Sequence, residues 1–158
     1  GSTFGGIKLI ELDPLSLKPL PGGEFTTLAQ RFLLQNDPIF EAPHLLYRQG
    51  YFYLFMSFNH CCRGADTQYQ VRVGRSRDIA GPYLDANGWP LYLGGGTPLI
   101  ARDGNYMGTG HSDLFSENGQ DWLVHHAKRA DEDYRAYLHI RKLRWLTTGW
   151  PSLCAEPA

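Results

Sequence analysis

The feature that most constrains this chain is an internal repeat. The segments "HLLYRQGYFYLFMSF" and "DLFSENGQDWLVHHA" share one plan: a strand, a tight turn at glycine, and then an aromatic-rich strand. The two turn glycines, Gly50 and Gly119, are 69 residues apart. The same shift carries the strand-like run Tyr69–Ser76 onto Leu138–Trp145. A unit of at least three strands therefore occurs twice, and an antiparallel unit repeated around an axis is typical of the blades of a β-propeller.

The rest of the chain also favours short strands. Runs rich in Tyr, Phe, Val, Ile and Leu, bounded by Gly, Asn, Asp or Pro, predict strands, and no helical period longer than two turns is present. The sequence therefore predicts an all-β, propeller-type fold without substantial helix. The predicted strands are Tyr51–Phe58, Tyr69–Ser76, Trp122–Lys128, Tyr137–Trp145 and the shorter Ile7–Leu12, which Asp13 and Pro14 end.

Length and charge exclude several classes of function. A chain of 158 residues suits one domain with a real core, and 42% hydrophobic with 20% charged residues indicates a globular chain. The formal net charge of -1 gives no attraction for nucleic acid or for an anionic membrane. No run reaches the roughly 18 apolar residues of a membrane span. We therefore expect neither a nucleic acid nor a membrane as a partner.

The repeat also relates two candidate functional residues. Glu41 lies in an apolar stretch beside Ile39 and Phe40, and the 69-residue shift carries it onto Gly110, next to His111. The innermost strands of a propeller line its central channel, so Glu41 and His111 should approach the axis from neighbouring blades. Apolar surroundings favour the protonated, uncharged form of a carboxyl group, which a general acid needs. The plainer alternative is a hydrogen-bonded glutamate and a structural histidine at two strand starts.

The cysteines leave two alternatives open. Cys61 and Cys62 are adjacent, Cys154 stands alone near the end, and this spacing fits no zinc motif. Cys61 and Cys62 are either reduced thiols or a vicinal disulfide. Because they follow the second strand of the unit that carries Glu41, we expect them at the rim of a cleft, within reach of a substrate.

Several segments together resemble glycoside hydrolase family 43, and its endo-α-1,5-L-arabinanase branch most of all. The resemblance runs from the first residues to Pro151. Its most specific part is the Cys-Cys-x-Gly segment followed by Tyr-x-x-x-x-Gly-Arg-Ser. The segments are "GIKLIELDP", "FEAPHLLYRQGYFYLFMSFNHCCRG", "YQVRVGRSRDIAGPYLD", "GTGHSD" and "LRWLTTGWP".

The resemblance implies a five-bladed β-propeller that cleaves arabinan or arabino-oligosaccharides with inversion. The family uses an Asp base on its first blade, an orienting Asp on its third blade and a Glu acid on its fourth. Glu41 matches that acid. His111 matches a histidine that helps to hold a hydrated metal, usually calcium, and Phe4 matches an aromatic residue beside the substrate cleft.

The resemblance also divides the chain and leaves it incomplete. Residues 1–34 correspond to the end of one blade and a linker, 35–103 to the blade with Glu41, 104–151 to the last blade with His111, and 152–158 to a tail. This is about half of a ring, so both catalytic Asp residues would lie outside it.

We therefore expect a partner, either a complementary N-terminal half or a second copy of the chain, which would also pair the open side of Ile7–Leu12. The alternative is a non-catalytic carbohydrate-binding or scaffold half-propeller. The sequence leaves localisation open.

Overall fold

The structure is a computed structural model that describes residues 5–30 and 39–154. The described chain is all-β, and its helical structure is limited to the short 3-10 turns Gly64–Asp66, Leu91–Leu93 and Ala130–Glu132. The strands are β1 (Ile7–Leu9), β2 (Thr26–Ala29), β3 (Phe40–Arg48), β4 (Tyr51–Phe58), β5 (Gln70–Ser76), β6 (Thr97–Ile100), β7 (Tyr106–Glu117), β8 (Gln120–Arg129), β9 (Arg135–Trp145) and β10 (Pro151–Leu153).

The predicted repeat is confirmed and extended to four strands. One antiparallel sheet has the order β3-β4-β5-β6, and a second has the order β10-β9-β8-β7. Both begin with a hairpin whose two turn residues have positive φ: 48° and 81° at Gln49 and Gly50, and 51° and 76° at Asn118 and Gly119. Two successive left-handed residues form the turn that matches the twist of paired strands. The sequence signal at Gly50 and Gly119 thus predicted the turns correctly.

Four of the five predicted strands are confirmed, with ends that differ by no more than two residues, and the first strand is shorter than expected. β1 ends at Leu9, whereas the sequence predicted a strand to Leu12. Leu12 instead forms an isolated bridge with Pro19. The carboxylate of Asp13 accepts hydrogen bonds from the next backbone N–H groups, which turns the chain at this point. β1 pairs with β2, and no other strand of the described chain pairs with it.

Strand β4 is apolar on both faces because it separates two cores. Leu54 and Met56 point to a core that also contains β1 and β2. Tyr53 and Phe55 point the other way, into the core between the two four-stranded sheets. Successive side chains of a strand face opposite sides, so a strand that is buried on both faces is continuously apolar. The first core packs β4 against β1 and β2, and the second packs the two four-stranded sheets against each other.

No helix in the described part of the chain is long and apolar enough to cross a membrane.

Candidate active site

The first strands of the two sheets carry the same distortion near their starts. Ala42 in β3 has a φ of 50°, and His111 in β7, 69 residues later, has a φ of 53°. The pairing register shifts directly after Glu41 and again directly after Gly110. Non-glycine residues seldom adopt a positive φ, so the surrounding structure must hold both bulges in place. The result is that Glu41 and His111 lie at the same end of neighbouring sheets.

The carboxyl group of Glu41 is half-buried and is held by Tyr69. The Tyr69 hydroxyl donates a hydrogen bond of 2.6 Å to Oε1 of Glu41. Tyr69 is 1% exposed, and this burial, followed by the hydrogen bond to Glu41, raises the pKa of Tyr69 well above its ordinary value. Tyr69 is therefore a neutral donor throughout the physiological pH range.

Ser57 connects this pair to the second sheet. It lies opposite Glu41 in the β3–β4 register and is fully buried. Its hydroxyl accepts a hydrogen bond of 2.7 Å from the backbone N–H of His111, and both this hydroxyl and the N–H of His111 lie within hydrogen-bonding range of the Tyr69 oxygen. Glu41 and His111, which the sequence predicted to be neighbours at the axis, are thus joined through two polar side chains.

A second histidine completes the polar cluster. The ring of His126 stacks on Tyr69, with 5.6 Å between ring centroids and 11° between ring planes. Burial, together with the charges of Lys128 and His111, lowers the pKa of His126, so its ring is neutral near pH 7. Its Nε2 is buried and has no hydrogen-bond partner in the described part of the chain.

Only one of the two equivalent positions carries a carboxyl group. A Cβ atom added to Gly110 would lie 2.0 Å from Cε1 of Tyr69. The Tyr69 ring therefore fills the space that a side chain would need at the position equivalent to Glu41. This close approach explains why the last sheet has a glycine there and no second acid.

The two adjacent cysteines lie at the same end of the sheets as Glu41. Cys61 and Cys62 form a vicinal disulfide in the loop that follows β4. The carbonyl oxygen of Cys61 accepts hydrogen bonds from Nζ of Lys128 (3.1 Å) and from Oγ1 of Thr67 (2.9 Å). Because Lys128 belongs to β8, this loop is tied across to the second sheet. Of the two cysteines, Cys62 is exposed and Cys61 is half-buried.

Two predicted site residues have no established role in this geometry. His111 exposes its side chain, but no three His, Cys, Asp or Glu residues within 5–30 and 39–154 converge as metal ligands. Calcium prefers oxygen ligands, so the described residues do not by themselves fit a directly bound calcium ion. Phe4 lies outside the described residues, so its predicted place beside the cleft is not described.

Sequence reasoning missed Tyr69, Ser57 and His126 as members of the cluster. Tyr69 is the first residue of the Tyr-x-x-x-x-Gly-Arg-Ser segment, and its position before the strand could have marked it as more than a core residue. Ser57 stands out as a hydroxyl within the apolar run "YLFMSF", where a buried polar group requires a partner. No sequence signal distinguishes His126 from its neighbour His125.

The cluster can hold one carboxyl group in a fixed orientation, with or without its proton. Inverting hydrolysis of a glycosidic bond requires two carboxyl groups about 6.5–9.5 Å apart, with a water molecule beside the second one. In the described chain the Glu41 cluster supplies the first group, and no second carboxyl group has the corresponding setting. Asp13 and Asp85 accept bonds from the backbone of their own turns, and Asp103 pairs with Arg141.

The family model for "Glycosyl hydrolases family 43" matches residues 1–151. Among curated proteins, an extracellular exo-α-(1→5)-L-arabinofuranosidase of Cellvibrio japonicus is 38% identical over 160 residues, which cover 97% of this chain and 46% of the relative. An extracellular endo-α-(1→5)-L-arabinanase of Bacillus subtilis is 40% identical over 152 residues, which cover 96% of this chain and 45% of the relative. The chain thus spans about half the length of these relatives.

Solved structures show the same similarity over nearly all of this chain and about half of each neighbour. An α-L-arabinanase of Cellvibrio cellulosa superposes with a TM-score of 0.87 and 34% identity, over 96% of this chain and 51% of that one. An exo-1,5-α-L-arabinanase from a bovine ruminal metagenomic library superposes with a TM-score of 0.90 and 37% identity, over 100% of this chain and 52% of that one. These neighbours are five-bladed β-propellers, and the predicted all-β propeller fold class is confirmed, with this chain covering about half of the ring.

Proposed function

The chain belongs to glycoside hydrolase family 43, and from this premise we propose that it supplies the general-acid half of an enzyme that hydrolyses arabinan or arabino-oligosaccharides with inversion. The observation that carries the proposal is the setting of Glu41. Its carboxyl group is held by Tyr69 at the end of the sheets that also carries His111 and the Cys61–Cys62 loop. The substrate class comes from the names of the relatives, which are arabinanases and an arabinofuranosidase.

In this proposal Glu41 protonates the oxygen of the leaving sugar. A base carboxylate from outside the chain takes a proton from water as the water attacks the anomeric carbon from the opposite face. The bond between the anomeric carbon and the leaving oxygen breaks, and the sugar is released with inverted configuration. Phe4, Cys61 and Cys62 are proposed to contact the substrate at the rim of the cleft.

The outer face of the last sheet supports a partner that completes the ring. Leu138 is 73% exposed, Ile140 55% and Phe115 40%. Trp122 pairs with Phe115, and Val124 pairs with Ile140, so these side chains share one face. An apolar sheet face of this extent is expected to pack against another polypeptide. A complementary N-terminal half with the two missing Asp residues, or a second copy of the chain, would cover it.

A hydrated calcium ion beside His111 is the proposed cofactor. Since the described residues bring no set of three ligands together, water and residues from outside the chain would supply most of the coordination shell. Elemental analysis of the assembled protein, purified without chelator, tests this part directly. Stoichiometric calcium that the variant His111→Ala loses supports it, and a calcium-free active protein contradicts it.

The acid role is tested with Glu41→Gln in the chain assembled with a half that carries the base. We expect a roughly 100- to 10,000-fold loss of arabinan hydrolysis with an unchanged circular dichroism spectrum, because general acid catalysis contributes about that factor. Glu117→Gln is the matched control, since Glu117 is exposed at the hairpin turn away from Glu41. Equal activity of the two variants removes Glu41 from the mechanism. Wild-type protein that binds arabino-oligosaccharides but hydrolyses none in any assembly indicates a binding module.

Light scattering with an arabinan assay on the same sample separates the two partners. If the complementary half is the partner, hydrolysis appears only in the mixture. If a second copy is the partner, the purified chain is a dimer with weak or no arabinanase activity, because the family's Asp pair is missing. A monodisperse monomer that unfolds cooperatively contradicts both assemblies.

A further inference from the structure

The hydrogen bonds between His111 and Glu41 have a fixed direction. A backbone N–H can only donate, so the N–H of His111 donates to Ser57. The Tyr69 hydroxyl donates to Oε1 of Glu41, and this is the only direction open to the bond while Glu41 is a carboxylate. The Ser57 hydroxyl still has its proton to donate, and the Tyr69 oxygen still has lone pairs to accept it. The interaction between them therefore runs from Ser57 to Tyr69. Along this series of three hydrogen bonds, every donor therefore points from the second sheet toward Glu41.

This direction determines which oxygen of Glu41 carries its proton. Oε1 already accepts the Tyr69 hydrogen bond, so the proton of the neutral acid lies on Oε2. A proton on Oε1 would compete with the Tyr69 hydroxyl for that oxygen and weaken the bond, whereas a proton on Oε2 leaves the bond intact. The carboxyl group can therefore present its proton from one oxygen only, and rotation about its last bond is restricted.

The donor itself is held rigidly. Tyr69 is 1% exposed and Ser57 is fully buried. The Tyr69 ring packs against the backbone at Gly110 on one side and stacks on His126. Both side chains are buried where the two sheets meet, so the orientation of the Glu41 carboxyl depends on contacts from both sheets.

We propose that Tyr69 is a positioning residue that fixes the proton of Glu41 on Oε2, and that Ser57 ties this orientation to the backbone of the last sheet. The inference rests on the proposed function, because it assumes that the proton of Glu41 is the one transferred. It adds that the acid is competent only while β7 is docked against β4.

The test compares four forms of the assembled enzyme: wild type, Tyr69→Phe, Glu41→Gln and the double variant. We expect Tyr69→Phe to lower kcat on an arabino-oligosaccharide by roughly tenfold or more with little change in KM. The reason is that Glu41 becomes charged as its proton leaves in the transition state, and a hydrogen bond to a charged group is worth about that factor. In the Glu41→Gln background, Tyr69→Phe should have no further effect. Tyr83→Phe is the matched control, since Tyr83 is fully buried and its hydroxyl donates to the carbonyl of Ile79, away from Glu41.

The outcomes separate the inference from the proposed function. Glu41→Gln with full activity defeats the proposed function. Loss of activity in Glu41→Gln, but none in Tyr69→Phe beyond that of Tyr83→Phe, overturns the inference alone. An equal loss from Tyr69→Phe in both backgrounds also overturns it, because the role of Tyr69 would then be structural.

The link through Ser57 has its own measurement, which needs no activity. In Ser57→Ala the backbone N–H of His111 loses its 2.7 Å acceptor and keeps only the Tyr69 oxygen within hydrogen-bonding range. We expect its hydrogen exchange to accelerate at least tenfold, while amides at the far end of β7 keep their rates. An unchanged exchange rate at His111 contradicts the link between the two sheets.

Discussion

Nδ1 of His44 lies 2.5 Å from Oδ1 of Asp113. These two residues occupy equivalent positions of the repeat, 69 residues apart, and they meet across the boundary between the two four-stranded sheets. The contact follows from the bulges near the starts of β3 and β7, since His44 and Asp113 are the first residues after the register shifts. The repeat therefore places equivalent side chains near one another at the end of the sheets that carries Glu41.

The His44–Asp113 contact should contribute little to stability. Their side chains are 25% and 75% exposed, and contacts at such exposure are worth about 0.2–1 kcal/mol even when both groups are charged. A double-mutant cycle with His44→Ala and Asp113→Ala, measured by urea unfolding at low salt, should give a favourable coupling energy in that range. Any part of the coupling that comes from charge should weaken in 1 M NaCl, at a Debye length of about 3 Å. A coupling energy of zero at low salt contradicts the pairing.

A stronger connection between the sheets should centre on Asp121. Its Oδ2 accepts hydrogen bonds from Nε1 of Trp145 (2.7 Å) and from Nη1 of Arg48 (3.1 Å), which comes from the neighbouring sheet. Asp121→Ala should lower the free energy of unfolding by roughly 2–4 kcal/mol, because it leaves two partly buried donors without acceptors. The exposed Asp66 provides the control, and Asp66→Ala should change stability by less than about 0.5 kcal/mol. Similar effects of the two variants would show that Asp121 does not hold the sheets together.

His125 should make the fold sensitive to acid. It is 1% exposed, and burial, assisted by the nearby charges of His139 and Arg141, lowers the pKa of His125 to about 4. The folded protein therefore disfavours protonated His125, so its contribution to stability is complete above pH 6.5, the ordinary histidine value, and is lost as pH falls toward 4. The loss should reach about 3 kcal/mol.

Urea unfolding between pH 7 and pH 4 checks the role of His125. In His125→Phe the stability curve should fall less steeply over this interval, because the variant cannot take up the proton on unfolding. The difference between the two curves isolates His125 from other groups that titrate in the same interval. Parallel curves would contradict the assignment.

Gly110 should tolerate no side chain. A Cβ there would lie 2.0 Å from the Tyr69 ring, so Gly110→Ala must displace the ring or the backbone of β7. We expect a loss of roughly 1–3 kcal/mol, typical of overpacking, and a weaker contact between Tyr69 and Glu41. Gly119→Asn is the control, because a Cβ at Gly119 meets no atom within 4 Å and Asn accepts a positive φ. Retention of wild-type stability by Gly110→Ala would contradict the close packing described here.

The fold was largely predictable because its signals are local and repeated. The turns at Gly50 and Gly119 and the aromatic strand Tyr51–Phe58 have clear sequence patterns, and the structure has them where the sequence predicted them. The pairing of Tyr69 with Glu41 was not predictable in this way. It joins residues 28 apart, and it depends on a glycine at 110 and a bulge at 42, neither of which has a periodic signal.

If Glu41 donates its proton to the leaving group, the effect of removing that proton must depend on how basic the leaving group is. The measurement compares the rates at which the assembled wild type and Glu41→Gln hydrolyse a series of aryl α-L-arabinofuranosides whose phenol leaving groups have decreasing pKa. A good leaving group needs no proton, so the variant should be nearly as fast as wild type on a dinitrophenyl substrate. It should become progressively slower as the phenol becomes more basic, and slowest on arabino-oligosaccharide. A loss that is equal for every substrate would contradict the claim, because Glu41 would then serve binding or folding and not proton transfer.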